Sequence, residues 1–292
     1  MTEDIEKAFK ARIRNLAREQ NIDPAILWQN LVLERFLVRL IQSRHASQFI
    51  LKGGILLSKI LKIERETKDL DFSLRKNLQD AKKIKEIFEE IAQIRVKDGF
   101  SFENVRIEEL LHSHMKYAGK RISMIGYFGK TRFKVCIDLG YGDLVEPIEL
   151  KLPLAFSKKG AIFESHIEIK CYPLEFIFAE KIQTIISRKG KNSRMKDFHD
   201  LYAMILQKGD QLKNISKIVR KVFEHRQTDL LLPIMFSGKE LKNMQIFWKA
   251  YLRGLKSGHS LPNELQEIIS SINKWIQVNT NLSSQNFDSN VD

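Results

Sequence analysis

The apolar residues of this chain change their period along its length, and that change restricts the folds open to it. Leu70, Phe72 and Leu74 alternate with Asp69, Asp71 and Ser73, a period of two that predicts a strand. Segments 102–111, 121–128 and 131–139 are strand-like too, the last two separated by a Gly129-Lys130 turn. From Pro173 onward the spacing is helical, over about 173–188, 196–207, 211–224, 240–256 and 262–277. The opening is helical as well. Asp23 followed by Pro24 supplies a cap and a first-turn proline, and Leu33, Phe36, Leu37, Leu40 and Ile41 recur at helical spacing. A short buried helix is expected over 55–61, and Asn77 is expected to cap a helix with Ile84, Ile87, Phe88, Ile91 and Ile94 on its apolar face. Residues 140–160 read as a connection and 161–171 as a further strand. The order is helices, a mixed sheet, then helices only, which is an α+β chain. The 292 residues suit about two domains. They are placed at 1–160 and 161–278, with a Ser/Asn-rich flexible tail over 279–292.

Charge gives the first functional clue. The formal net charge is +13. Window 110–137 holds Lys116, Lys120, Arg121, Lys130, Arg132 and Lys134 without an acid, and window 181–196 holds Lys181, Arg188, Lys189, Lys191, Arg194 and Lys196 without an acid. Such concentration attracts polyanions, although a solvated basic face would look the same. Cys136 and Cys171 form no C-x-x-C pair, so neither a disulfide scaffold nor a zinc finger is expected. With no secretory-type N-terminus and no apolar run of spanning length, a cytoplasmic protein without a membrane partner is expected.

The sharpest pattern is Lys52-Gly53-Gly54 followed by Asp69-Leu70-Asp71. Residues i and i+2 of a strand share a face, so both aspartates project together while Leu70 and Phe72 enter the core. Paired carboxylates suit Mg²⁺, with Mn²⁺ as a substitute, when substrate phosphates complete the shell. Backbone N–H groups after the glycines suit a phosphate. Asp138 closes a strand on the face opposite Val135 and Ile137, and adds a third carboxylate if that strand neighbours Asp69. Each element alone has a plainer reading, as a solvated strand face or a turn cap. Lys181 falls inside the apolar arc of Leu174, Ile177, Phe178, Ile182 and Ile185. It either snorkels to solvent or meets anions. Asp197 and Asp200 edge the stripe of the next helix, where a salt bridge from Asp197 to Lys181 or Arg194 is the plain alternative.

Together these segments resemble one family. Phe49-Ile50-Leu51-Lys52-Gly53-Gly54 with Arg65-Glu66-Thr67-Lys68-Asp69-Leu70-Asp71-Phe72 is similar to the first motif of the AbiEii/AbiGii-type nucleotidyltransferase toxins. Glu180-Lys181 and Arg194-Met195-Lys196-Asp197-Phe198-His199-Asp200-Leu201 are similar to its later motifs. The resemblance covers nearly the whole chain. One position departs: Ile55 stands where the superfamily often carries Ser or Thr, which leaves phosphate contact to backbone N–H groups, Lys52 and Ser58.

The resemblance implies a nucleotidyltransferase fold of the DNA polymerase β type and a toxin of a toxin–antitoxin or phage-defence system. NTP would be the substrate and a cognate antitoxin a partner. It implies Asp69, Asp71 and Asp138 as metal ligands, Lys52, Gly53, Gly54, Ser58, Lys181 and Asp200 at the nucleotide, and Lys181 and Asp197 in catalysis. The acceptor expected is RNA, such as a tRNA 3′ end, held by Lys130, Arg132, Arg188, Lys189, Lys191 and Arg194. A protein hydroxyl, as in AMPylation, is the rival acceptor. A non-catalytic nucleic-acid-binding protein is the rival class.

Overall fold

The computed structural model describes residues 3–61, 63, 67–74, 80–110, 119–141, 145–255 and 259–282. The chain clusters into two compact units, Met1–Ile60 with Glu66–Tyr172, and Leu61–Arg65 with Pro173–Asp292.

The first unit opens with helices α1 (Glu3–Glu19) and α2 (Pro24–Gln42). Asp23 caps α2 by accepting the Ala25 N–H at 2.6 Å, with Pro24 next to it, as the Asp-Pro pair predicts. Then come β1 (Phe49–Lys52), α3 (Gly53–Leu61), β2 (Asp69–Leu74) and α4 (Ala81–Gln93). Asp80 caps α4 through the Lys82 N–H; Asn77, expected in that role, lies outside the described residues. Strands β3 (Phe100–Leu110), β4 (Gly119–Phe128) and β5 (Thr131–Tyr141) form an antiparallel meander. Gly129 turns β4 into β5 at φ +56°, which glycine adopts without a Cβ penalty.

Region 140–160 corrects the expectation of a bare connection. It contains β6 (Ile148–Pro153) and the first strand of the small hairpin β7 (Phe156–Ser157) and β8 (Gly160–Ala161). Ile148, Leu150 and Leu152 do alternate with charged residues, but Pro147 and Pro153 flank them, and Pro belongs at strand ends and sheet edges. The strand expected over 161–171 starts later, as β9 (His166–Cys171).

Seven strands form one sheet in the order β3-β4-β5-β2-β1-β9-β6. β2 runs parallel to β5 and antiparallel to β1, and β1 runs parallel to β9. One face carries Leu70, Phe72, Ile122, Met124, Val135, Ile137 and Leu139, all buried. Phe36 of α2 and Phe88 of α4 stack at 6.0 Å, and Phe88 meets Phe49 edge-on at 5.5 Å. Burying each such side chain stabilises the fold by about 1.5–3 kcal/mol. Inside this core Asp98 holds two arginines of α2, accepting from Arg35 Nε at 2.9 Å and from Arg39 at 2.8 and 3.0 Å. Arg35 also pairs with Glu164. Every charge in this cluster therefore has an opposite partner, as burial demands.

The second unit is helical: α5 (Leu174–Arg188), α6 (Met195–Lys208), α7 (Ile215–His225), α8 (Gly238–Arg253) and α9 (Leu265–Asn279). The helix expected from 211 begins only at Ile215, because Gly209–Gln211 forms a separate 3₁₀ turn. Phe178, Trp248, Ile268 and Ile272 are wholly buried. Ser237 and Glu240 close a reciprocal capping box at the start of α8. The expected tail lies outside the described residues beyond 282. Among the described residues no helix is long and apolar enough to cross a membrane.

Candidate active site

Strand pairing places the charged residues of the sheet in a row. Lys52 stands opposite Asp71 across β1 and β2, Asp71 opposite Asp138 across β2 and β5, and Asp138 opposite Arg121 across β5 and β4. Residues directly opposite in a sheet share a face, so four neighbouring strands contribute one line of charges. Asp69 belongs to the same face two residues along, opposite Cys136. All of these side chains are half-buried, on the face opposite Leu70 and Ile137. The sequence pattern placed Asp69, Asp71 and Asp138 on such a face, and β2 and β5 are indeed neighbours.

Two glycines keep this face accessible. Gly53 opens α3 at φ +71°, and a Cβ there would overlap the Asp71 carboxylate. Asp71 is therefore closed against the backbone where the first-turn N–H groups of α3 begin. Over Gly140, a Cβ would come within 3.2 Å of Lys52 Nζ. The Lys52 ammonium also lies 5.1 Å from the Tyr172 ring centroid, a cation–π distance. Ser58 donates to the Ile55 carbonyl at 2.8 Å, so its hydroxyl serves the helix backbone.

Asp138 is engaged differently from its neighbours. Arg121 grips it with two parallel hydrogen bonds, Nε to Oδ1 and Nη2 to Oδ2, each 2.7 Å. This pair, supported by Asp69, holds the guanidinium proton even more firmly than usual. Sequence reasoning missed Arg121 as a site residue. Among the described residues, no three acidic, His or Cys side chains converge closely enough to hold a metal ion. The residues do fit one divalent cation: Asp69 and Asp71 offer hard oxygens on one face, and Mg²⁺ needs only one or two carboxylates when phosphates complete its shell.

In the helical unit, Lys181 Nζ lies 2.7 Å from Asp197 Oδ1 and 2.6 Å from Asp200 Oδ2. Arg194 Nε reaches Asp197 Oδ2 at 2.8 Å. Asp197 is 2% exposed and Asp200 not at all. Burial alone would raise the Asp197 pKa, but Lys181 and Arg194 outweigh it and hold it at about 2. Both salt bridges considered from the sequence are thus present, and Lys181 does not snorkel. Glu180 pairs with Arg226 at 3.0 Å.

The basic windows are less unbalanced than they look in sequence. Lys120 is buried and pairs with the exposed Glu109, Arg121 pairs with Asp138, Lys130 with Glu3, and Lys181 and Arg194 with Asp197. Three of the neutralising acids, Glu109, Asp138 and Asp197, stand immediately beside the windows in the chain, and Glu3 comes from far away in sequence. Arg132, Lys134, Arg188, Lys189, Lys191 and Lys196 remain exposed, while Lys116, Arg65 and Glu66 lie outside the described residues.

The family described as nucleotidyl transferase AbiEii toxin, type IV toxin–antitoxin system, matches residues 35–271. The chain belongs to the AbiEii nucleotidyltransferase toxin family. It is accordingly a nucleotidyltransferase of the toxin–antitoxin kind, with an NTP as substrate, and the non-catalytic reading falls away. The AbiEii match begins within α2 and ends within α9, so it takes in both units. Among solved structures, JHP933 from Helicobacter pylori aligns at TM-score 0.51 and 12% identity, over 88% of this chain and 92% of that one. This likeness extends to the fold alone. A second H. pylori protein, described as a candidate nucleotidyltransferase, aligns at TM-score 0.47 and 14% identity over 88% and 95% of the two chains. No curated protein matches the chain significantly.

Proposed function

We propose that this AbiEii toxin transfers a nucleotidyl group from an NTP to a hydroxyl of RNA, such as the tRNA 3′ end. Asp69 and Asp71 are the carboxylates that hold Mg²⁺, or Mn²⁺ in its place, on the triphosphate. The observation that carries this is the register line of Lys52, Asp71 and Asp138, with Asp71 closed against the glycine turn that opens α3. In the reaction an acceptor hydroxyl oxygen attacks the α-phosphorus in line. The new oxygen–phosphorus bond forms as the bond to the bridging oxygen breaks, pyrophosphate departs, and the hydroxyl proton passes to solvent or a nearby carboxylate. A bound cation would supply charge neutralisation on the phosphate oxygens. Lys52 and the first N–H groups of α3 bind phosphate. Lys181, its ammonium fixed by Asp197 and Asp200, is an NTP-binding residue of the helical unit.

RNA is favoured as acceptor by the exposed bases Arg132, Arg188, Lys189 and Lys191 on a chain of net charge +13. A cognate antitoxin follows from the type IV toxin–antitoxin family, and the proposal extends to a role in phage defence. The test is incubation with each α-labelled NTP, Mg²⁺ and total cellular RNA. Label should enter RNA, and Asp69→Asn or Asp71→Asn should reduce it by about 10²-fold or more, the scale of removing one charge-stabilising group. Label on protein instead of RNA would replace the acceptor; wild-type transfer in both variants would end the carboxylate assignment.

A further inference from the structure

We infer that Arg121 occupies the place a second divalent cation would take, so that the site works with one metal ion and an arginine. This deepens the carboxylate site proposed above and rests on it. A paired-metal arrangement needs a third carboxylate whose oxygens are open to a cation. The residue in that position is Asp138, directly opposite Asp71. Both of its oxygens accept from Arg121, at 2.7 Å each, in the fork-to-carboxylate geometry that is the strongest available to such a pair.

The placement is built into the hairpin. A turn at Gly129 and Lys130 pairs Phe128 with Thr131, and the same ladder seven steps on pairs Arg121 with Asp138. The guanidinium therefore delivers its charge on the face that carries Asp69 and Asp71. Its side chain is 38% exposed, so a ligand can reach it. Nε–H and one Nη2–H are spent on Asp138. The three other N–H groups are a fixed, directional set of donors for a phosphate oxygen. Among the described residues no three-ligand metal cluster exists beside it.

The test is the number of Mn²⁺ ions bound per chain, counted by electron paramagnetic resonance with each of the four α,β-methylene NTP analogues. The wild type should bind one ion in its analogue complex. Arg121→Gln, with its fold checked by circular dichroism, should bind two and hold the analogue about tenfold more weakly. Arg121→Gln with Asp138→Asn should return to one. Two ions in the wild type, or one in Arg121→Gln, would overturn the inference. The wild-type count alone can do so, whether or not the variant folds. Asp69→Asn separates the two levels of the proposal. If it loses Mn²⁺ while the wild type holds two ions, only the role of Arg121 falls. If it binds as many ions as the wild type, the carboxylate site falls and the inference with it.

Discussion

Lys181 Nζ lies 2.7 Å from Asp197 Oδ1, and the two carboxylates it bridges, Asp197 and Asp200, are buried. The lysine sits on the apolar stripe of α5, and the aspartate on the first turn of α6. Their contact fixes these helices to each other. A pair of this kind adds little over a well-packed apolar contact, yet breaking it from one side is costly because the other charge stays behind.

Lys181→Met should therefore destabilise the protein by about 3 kcal/mol, since one buried carboxylate cluster loses its bridging ammonium. A snorkelling lysine would have given a neutral or mildly stabilised variant. Urea unfolding followed by circular dichroism measures the difference. A Lys181→Met midpoint equal to the wild type would contradict the buried bridge, and activity is to be compared at equal folded fraction.

Acid should expose the same cluster. The folded pKa of Asp197 is about 2, below its ordinary 3.8, so its contribution is complete above about pH 4. It disappears as pH falls through the interval from about 4 to 2, and amounts to roughly 2 kcal/mol. Asp197→Asn has no proton to gain there. The stability gap between the wild type and Asp197→Asn should narrow over that interval, and a gap independent of pH would refute the coupling.

Gly53→Ala tests the turn at Asp71. The residue has φ +71°, and the added methyl would meet the Asp71 carboxylate. Strain of this type costs on the order of 1–3 kcal/mol. The variant should also lose the rise in melting temperature that Mn²⁺ with NTP gives the wild type, because Asp71 must move. Gly238→Ala, where a Cβ has open space and no unusual φ, is the control and should leave both quantities unchanged.

The RNA assignment predicts that Lys189→Glu with Lys191→Glu weakens RNA affinity and flattens its salt dependence by about one unit of slope per lost phosphate contact. Both lysines are exposed. Affinity and slope unchanged in filter-binding at low and high salt would count against RNA as the acceptor held by this loop.

Much of the architecture was legible because period and punctuation agree. Asp23-Pro24, the alternation at 69–74 and the turn at 129–130 each set an element that formed where expected. The pairing of Arg121 with Asp138 was legible too, since a two-residue turn fixes every pair of its hairpin, but the arginine was absorbed into a charge count. β6 was hidden by prolines at both ends. The core cluster of Arg35, Arg39 and Asp98 could not be foreseen. Nothing local in α2 distinguishes those arginines from solvated ones, and their partner is 59 residues or more away.

The strand order carries a consequence for synthesis. β1 borders β2, made soon after it, and β9, the last strand of the sheet to leave the ribosome. A nascent chain that has just completed β2 already displays Asp69 and Asp71, but without β5 it lacks Asp138, and without β9 the inner edge of β1 is bare. For a toxin this means that a chain abandoned before about residue 171 carries its acidic pair on an unfinished sheet, and harm to the cell that makes it waits at least until β9 has been made.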